Sequence, residues 1–435
     1  MSAPAKETLL RLLRDSLPGA EPGAEFAIDV AVWPDVIAAA ITHRVEPLLY
    51  ARARSLGAAS AIPGAPMQEL EELYCCHALR NQQLFRQLSM VASALDTRGI
   101  PAIALKGAFL AAGVYADPAL RAMADVDLLV HAADLTGAEA ALRENGYAPL
   151  GPDETPGDDD ERPEDLADYS EHHHLRRMHK AGALPIEVHH TLAPARSGLR
   201  LEMNSVWRRA RRARIGRADV MALCPEDLLL HLCVHASYGH RFRVPIRSLY
   251  DIAITVAHYE DELDWKLLAR VAEESGAGQG VSCTLRVVEK MFGVAIPAAL
   301  TTGAASEMRV SGALVDAAWE LVLAGPSDLP RAYQEARDLQ GAARLSVIRR
   351  TFFPPVAHLR QIYRLERGSP AIAAYYLYRP LDLIVRRGRF ALGVLMGTSQ
   401  SRDASRAIDH RRLIDSWIFE QEDRNAAVAP ASPSE

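Results

Sequence analysis

Apolar residues recur at a spacing near 3.6 through most of the first hundred positions. LLRLLRDSL, WPDVIAAAITHRVEPLLYARARSLG and MQELEELYCCHALRNQQLFRQLSMVASALDTRG all carry this period, and the last predicts one long helix with Gly99 as its C-cap. The period then breaks. PAIALKG (101–107) is short, apolar and closed by glycine, which reads as a strand and a turn, and AFLAAGVY reads as a short helix. DVDLLV (125–130) reads as a strand, and DLTGAEAALRENG as a helix ending at Gly146. GPDETPGDDDERPEDLADY (151–169) is acidic and rich in proline and glycine, the composition of a mobile loop. HHHLRRMHK and LPIEVHHTL read as two strands joined through AGA. From about 196 the helical period returns in PEDLLLHLCVHASYG, PIRSLYDIAITVAHY and DWKLLARVAEES, and RNAAVAPASPSE reads as a disordered tail. The expected fold class is α+β, mostly α by residue count. A small mixed-sheet core over 99–195 lies between a helical region at 1–98 and a helical domain at 196–422, with the tail at 423–435.

Composition narrows the function. A chain of 435 residues with 49% hydrophobic and 24% charged positions is ordinary for a globular protein of two or three domains. The net charge of −6 argues against a general nucleic-acid binder. Five cysteines without a C-x-x-C pair speak against a disulfide framework or a cysteine zinc site. The N-terminus lacks a long apolar stretch of the signal-peptide kind, so a cytoplasmic location is expected. No run reaches the roughly 18 uninterrupted apolar residues of a membrane span. AIAAYYLYRPLDLIVRRGRFALGVLMG comes nearest and is broken by arginines.

The chemistry concentrates in DVDLLV. Strand side chains alternate, so Val126, Leu128 and Val130 share one face and Asp125 and Asp127 the other. Two carboxylates about 5 Å apart repel by roughly 3 kcal/mol at an effective dielectric near 20. Arginine, lysine or a divalent metal would each compensate, and hard oxygen ligands suit magnesium or manganese. An exposed edge strand with two solvated aspartates is the plain alternative. Two neighbouring stretches favour the chemical reading. Lys106 and Gly107 in LKG end a strand and open a helix, where backbone N–H groups and a lysine favour an anion. Glu187 in IEVHH supplies a third carboxylate from another apolar strand.

LKG, then YADPALRAMADVDLLV, then IEVHH together resemble the polymerase-β-type nucleotidyltransferase superfamily, and more closely its bacterial branch of uncharacterised nucleotidyltransferases. The resemblance is specific from about Ile103 to Thr191. It is looser at HRVEPLLY and in the helical run after 220. It implies Asp125, Asp127 and Glu187 as metal-binding catalytic carboxylates for Mg2+ or Mn2+. It also implies Gly107 in the loop that cradles a triphosphate, and Lys106 and Arg121 as phosphate-facing residues, with Arg121 alternatively neutralising the aspartates. The implied reaction moves an NMP group from an NTP, ATP by default, to a small-molecule or peptide or protein acceptor in a biosynthetic or tailoring pathway. Two departures stand out: Ala108 replaces the serine usual after the glycine, and YADPALRAM lengthens the gap to Asp125. They keep open a non-catalytic nucleotide- or partner-binding protein on the same fold.

Other constellations have plainer readings. His172, His173, His174, His179, His189 and His190 crowd the hairpin, and a zinc hydrolase is the least favoured reading because no HExxH spacing occurs. His189 shares a face with Glu187 and is a candidate substrate contact. WRRARRARIGR (207–217) reads first as a solvated helix face and second as a grip for a nucleotide tail or RNA. His231 and His235, one helical turn apart, read as core histidines before cleft residues. Asp251, a lone acid on an apolar helix, caps, pairs with an arginine or faces a cleft.

Overall fold

A computed structural model describes residues 2–20, 28–149, 174–301, 308–325 and 399–427, with isolated residues between 353 and 379. The chain divides into two compact units, Met1–Gly325 with Ile414–Glu435, and Pro326–Leu413. The first unit holds the sheet. The acidic loop at 151–169 and the end of the tail from 428 lie outside the described residues.

The fold is α+β and mostly helical. Helices α1 (Ala3–Arg14), α2 (Trp33–Thr42), α3 (Glu46–Leu56) and α4 (Gly64–Asp96) form the N-terminal region. Leu9, Leu10, Leu12 and Leu13 bury the apolar stripe of α1, and the Arg14 guanidinium closes its end on the Met291 carbonyl at 2.7 Å. The 33 residues of α4 extend about 50 Å at 1.5 Å per residue. Its buried face, Leu84, Leu88, Val91 and Leu95, repeats at three and four and packs on the sheet. Gly99 turns left-handed three residues past its end, at φ 68°.

The sheet has seven short strands in the order β3-β4-β5-β2-β1-β7-β6. They are β1 (Ile103–Ala104), β2 (Val126–Leu129), β3 (Ala148–Pro149), β4 (Met178–His179), β5 (Ile186–His189), β6 (Arg211–Ile215) and β7 (Ala218–Ala222). β1 runs antiparallel to β2 and parallel to β7, and β2 runs parallel to β5. Helix α5 (Lys106–Gly113) follows β1 and α6 (Leu135–Glu144) follows β2, as the pattern predicts. β6 and β7 differ from the expectation of helical structure after 196. WRRARRARIGR is not one helix face: α7 (Met203–Arg209) ends inside it, and a hairpin takes the rest. The cause is local. Gly216 adopts φ 59° in a two-residue Gly216–Arg217 turn, which closes antiparallel strands rather than extending a helix.

C-terminal to the sheet, α8 (Pro225–Val234), α9 (Ile246–His258), α10 (Trp265–Ser275), α11 (Gly278–Phe292), α12 (Ala298–Thr301) and α13 (Gly312–Ala324) form a helical layer. A C-terminal helix, Ser399–Ala427, runs into the stretch expected to be a disordered tail. Its Asn425 amide donates to the Ser197 carbonyl at 3.2 Å, and Trp417 and Gln421 donate to Gln279.

His43 joins the N-terminal helices to this layer. α9 starts after Pro245 with no side-chain cap of its own. The Ile246 N–H donates to His43 Nδ1 at 3.3 Å and the Arg247 N–H to the His43 carbonyl at 3.3 Å, so two orphan donors of α9 are met by one residue. Nδ1 must therefore be unprotonated, which leaves the other ring nitrogen to donate to the Leu323 backbone. Burial holds the imidazole down to about 4 despite that bond. The unfolded chain takes up the proton near pH 6.5 and the folded one only near pH 4. The stabilisation from neutral His43 is thus complete above pH 6.5 and is lost as pH falls to 4, at most about 3 kcal/mol. His43→Gln should cost markedly more stability at pH 7 than at pH 4.5 in urea unfolding. An equal cost at both pH values would show that His43 does not carry this dependence.

Candidate active site

β2 and β5 pair in register, with Asp127 opposite Glu187 and Leu129 opposite His189. Parallel pairing keeps side chains of partners on one face, so Asp127, Glu187 and His189 converge. His189 Nε2 lies 3.0 Å from Asp127 Oδ1 and 3.6 Å from Glu187 Oε2. Ligand atoms of the three lie within 4.8 Å of one another. Lys106 Nζ approaches Asp127 Oδ1 to 3.5 Å from the first residue of α5. Its backbone sits at φ 39°, a left-handed conformation that costs a non-glycine residue about 1–2 kcal/mol. Asp125 stands just before the strand, at the mouth: its side chain is 35% exposed against 6% for Asp127. Arg177, just before β4, bridges the two levels. Its Nη2 lies 3.8 Å from Asp125 Oδ2, while Nε donates to Glu187 Oε1 at 2.7 Å and Nη2 donates to the same oxygen.

The electrostatics divide the acids. Burial, reinforced by repulsion from Asp127 and Glu187, pushes Asp125 up to about 6. Burial acts against the charge of Asp127 as well, but Lys106 and the His189 hydrogen bond outweigh it and hold Asp127 below the usual range. Glu187 is held well below that range, because His189, Lys106 and Arg177 together outweigh its burial. Burial would favour neutral Lys106 and His189, yet the carboxylates raise both. The two inner acids are thus charged, and the outer one sits near its titration point.

Residues 29–293 match the family described as Uncharacterised nucleotidyltransferase. The chain belongs to that family. The matched stretch takes in all seven strands and ends after α11. Neither the curated proteins nor the solved structures hold a match to the chain.

Within this nucleotidyltransferase-family chain, the structure brings Lys106, Asp127, Glu187 and His189 together, with Asp125 at the rim. Arg121 lies beside this group, with its guanidinium turned to another carboxylate. Arg121 is buried and forms a two-pronged pair with Asp251 of α9, Nε to Oδ1 at 3.2 Å and Nη2 to Oδ2 at 2.8 Å. The Tyr115 hydroxyl donates to the same Oδ1 at 2.8 Å. Of the readings left open for Asp251, pairing with an arginine is the one observed. Gly107 abuts this pair: a Cβ there would stand 2.5 Å from Arg121 Nη1. Close packing of a guanidinium is therefore one reason for glycine at 107.

Among the described residues, Asp127, Glu187 and His189 form the one group whose ligand atoms converge closely enough to hold a metal. His174 packs edge-on against the His189 ring at 5.3 Å, and His172 and His173 lie outside the described residues. The arginine run divides: Arg209 makes two 2.8 Å bonds to buried Asp227, and Arg211 pairs with Glu262 at 3.1 Å. His231 on α8 donates from Nδ1 to the Leu192 carbonyl at 3.2 Å. Burial, with the charges of Lys106 and His189, presses it down to about 3. His235 is also held well below its ordinary range, by burial and then Lys106, in a π-type turn over His235–Gly239. Arg177 is not legible from the sequence, because nothing in RRM marks which arginine turns inward. Period two from β4 into β5 is the one signal that could have placed it.

Removing one partner of a buried ion pair strands the other charge, at about 3–5 kcal/mol. Asp251→Asn should cost that order in urea unfolding, and the double change Arg121→Met with Asp251→Leu should cost less than Asp251→Asn alone. A double variant that is the weaker of the two would refute the stranded-charge account.

Proposed function

We propose that this protein is a metal-dependent nucleotidyltransferase that moves an NMP group from an NTP, ATP by default, to a small-molecule, peptide or protein acceptor. The observation that carries the reading is the in-register Asp127–Glu187 pair on adjacent parallel strands, with His189 between them and Lys106 at the start of α5. The donor set fits Mg2+ or Mn2+: two charged carboxylates with oxygen atoms under 5 Å apart, and a third carboxylate, Asp125, at the mouth. When bound, such an ion would neutralise triphosphate charge and acidify an acceptor hydroxyl.

The chain's own residues supply the rest. Asp127 and Glu187 would hold the ion from the sheet, and Asp125 would complete its shell at the mouth. Lys106 would hold a phosphate oxygen as a point charge at a helix N-terminus, where dipole and lysine act together. Arg177 keeps Glu187 ionised and aimed. In the reaction the acceptor oxygen bonds to the α-phosphorus, the bond from that phosphorus to the bridging oxygen breaks, and pyrophosphate leaves with the electron pair. The acceptor's proton passes to a carboxylate at the mouth or to solvent. The net charge of −6 supports a small or peptidic acceptor over a long nucleic acid. A tailoring step in a biosynthetic pathway suits that acceptor class.

A non-hydrolysable NTP analogue should bind the full chain in the presence of magnesium or manganese. Asp127→Ala and Asp125→Ala, each first checked for folding, should weaken that binding at least about tenfold. A well-folded wild type that binds none of four NTP analogues with either metal would leave a partner-binding protein on the same fold as the better account.

A further inference from the structure

Among the described residues, two guanidiniums, Arg121 and Arg247, meet at the segment before Asp125, and only Arg121 makes an ion pair. Arg121 and Arg247 both donate to one carbonyl oxygen, that of Ala122, from Nη1 at 3.4 Å and Nη1 at 2.8 Å. The nearby carboxylate is Asp251, and its oxygens are taken: Oδ1 by Tyr115 and Arg121, Oδ2 by Arg121. Among the described residues, Arg247, half-buried in the first turn of α9, has no ion pair, and its Nε is fully buried with no hydrogen-bond partner. A buried guanidinium N–H without an acceptor is costly, and natural structures satisfy such groups or keep them for a ligand. Arg44 adds a third cation at the rim: it is exposed and held at φ 56° in the turn between α2 and α3. Burial, then the charge of Arg121, lower Arg247 to about 10 against the pull of Asp251, with Arg44 adding a smaller push, and this still leaves it charged at neutral pH.

We infer that Arg247, backed by Arg121 and rimmed by Arg44, is an oxyanion subsite that takes a phosphate or carboxylate group of a substrate. Planar guanidinium donors and a net positive charge select that chemistry over a neutral or cationic group. The subsite adjoins the reacting region, because Arg121 packs on Gly107 and Ala122 lies three residues before Asp125. The oxyanion has two sources to choose between, the triphosphate of the nucleotide or an acidic group on the acceptor. The choice of source rests on the nucleotidyltransferase reading; the anion site itself does not.

The test uses the full chain, with inorganic phosphate and tripolyphosphate in metal-free buffer as probes, read by calorimetry and by the shift in melting temperature. Wild type should bind at least one probe, and Arg247→Gln should weaken it about tenfold or more. Arg44→Gln, at an exposed position outside the packed interior, should weaken it less and leave folding intact. Arg247→Lys, which keeps the charge, should recover part of the binding if Arg247→Gln folds poorly. A parallel arm measures the NTP analogue with magnesium. Loss of both probe and analogue binding assigns the subsite to the triphosphate, and loss of probe binding alone assigns it to the acceptor. Probe binding without any NTP binding would keep this subsite and sink the nucleotidyltransferase reading. Wild type that binds neither probe, or equal binding by wild type, Arg247→Gln and Arg44→Gln, would overturn the inference.

Discussion

Three carboxylates at one end of a sheet must be neutralised, and much of this fold is organised around that constraint. The β2–β5 register fixes Asp127 against Glu187, and burial then acts against both charges. Three cationic groups answer it, each delivered by a different element: Lys106 by the start of α5, Arg177 by the entry to β4, and His189 by β5 itself. A slip of one residue between β2 and β5 would turn Glu187 to the opposite face and remove it from this balance. The left-handed backbone at Lys106 belongs to the same account. A strained conformation persists where its surroundings determine it, and here the ammonium is drawn toward Asp127.

Both helical regions hold this arrangement. α4 acts as a ruler along the sheet. Its Gln87 side chain bonds both the N–H and the carbonyl of Leu184, at 2.9 and 2.6 Å, and so sets the entry to β5. Earlier on the same helix, Asn81 donates to the carbonyls of Pro118 and Arg121, at 2.6 and 2.9 Å, and Tyr74 bonds the Asp117 carboxylate. These contacts hold the inserted YADPALRAM stretch, which is a well-bonded turn rather than slack in the loop. α9 grips the same stretch through Asp251 and Arg247. The position of Asp125 is thus determined by helices far from it in sequence.

Legibility in the sequence followed the conflict between local polarity and local pattern. Asp125, Asp127 and Glu187 stood out because a carboxylate in an apolar strand needs a reason, and Gly107 because it broke a strand into a helix. The β4–β5 pairing could be read from alternation and a small-residue turn. β6 was obscured because its exposed positions are arginines, which fit a helix surface equally well, and β7 because it is short; the Gly216–Arg217 turn was the discriminating signal. The Arg121–Asp251 pair spans 130 residues, and no local pattern fixes a partner at that distance. Arg121 was therefore readable as a cation near the aspartates, while its actual carboxylate was not. The packing of Arg121 on Gly107 could not be read either, since it depends on where the Asp251 pair holds the guanidinium.

The residues from 121 to 127 run between two regions of opposite character. At one end the guanidiniums of Arg121 and Arg247 meet at the Ala122 carbonyl, with Asp251 paired to Arg121. At the other, Asp125 and Asp127 meet a carboxylate cluster that lysine, arginine and histidine only just balance. Both regions carry buried charge, so each field is less screened than it would be at the surface. A ligand that joins a cation to several oxyanions matches such a gradient along its length, whereas a purely cationic or purely anionic ligand matches one end of it. This polarity is a property of the folded chain, present before any substrate arrives, and it costs no reorganisation at the moment of binding.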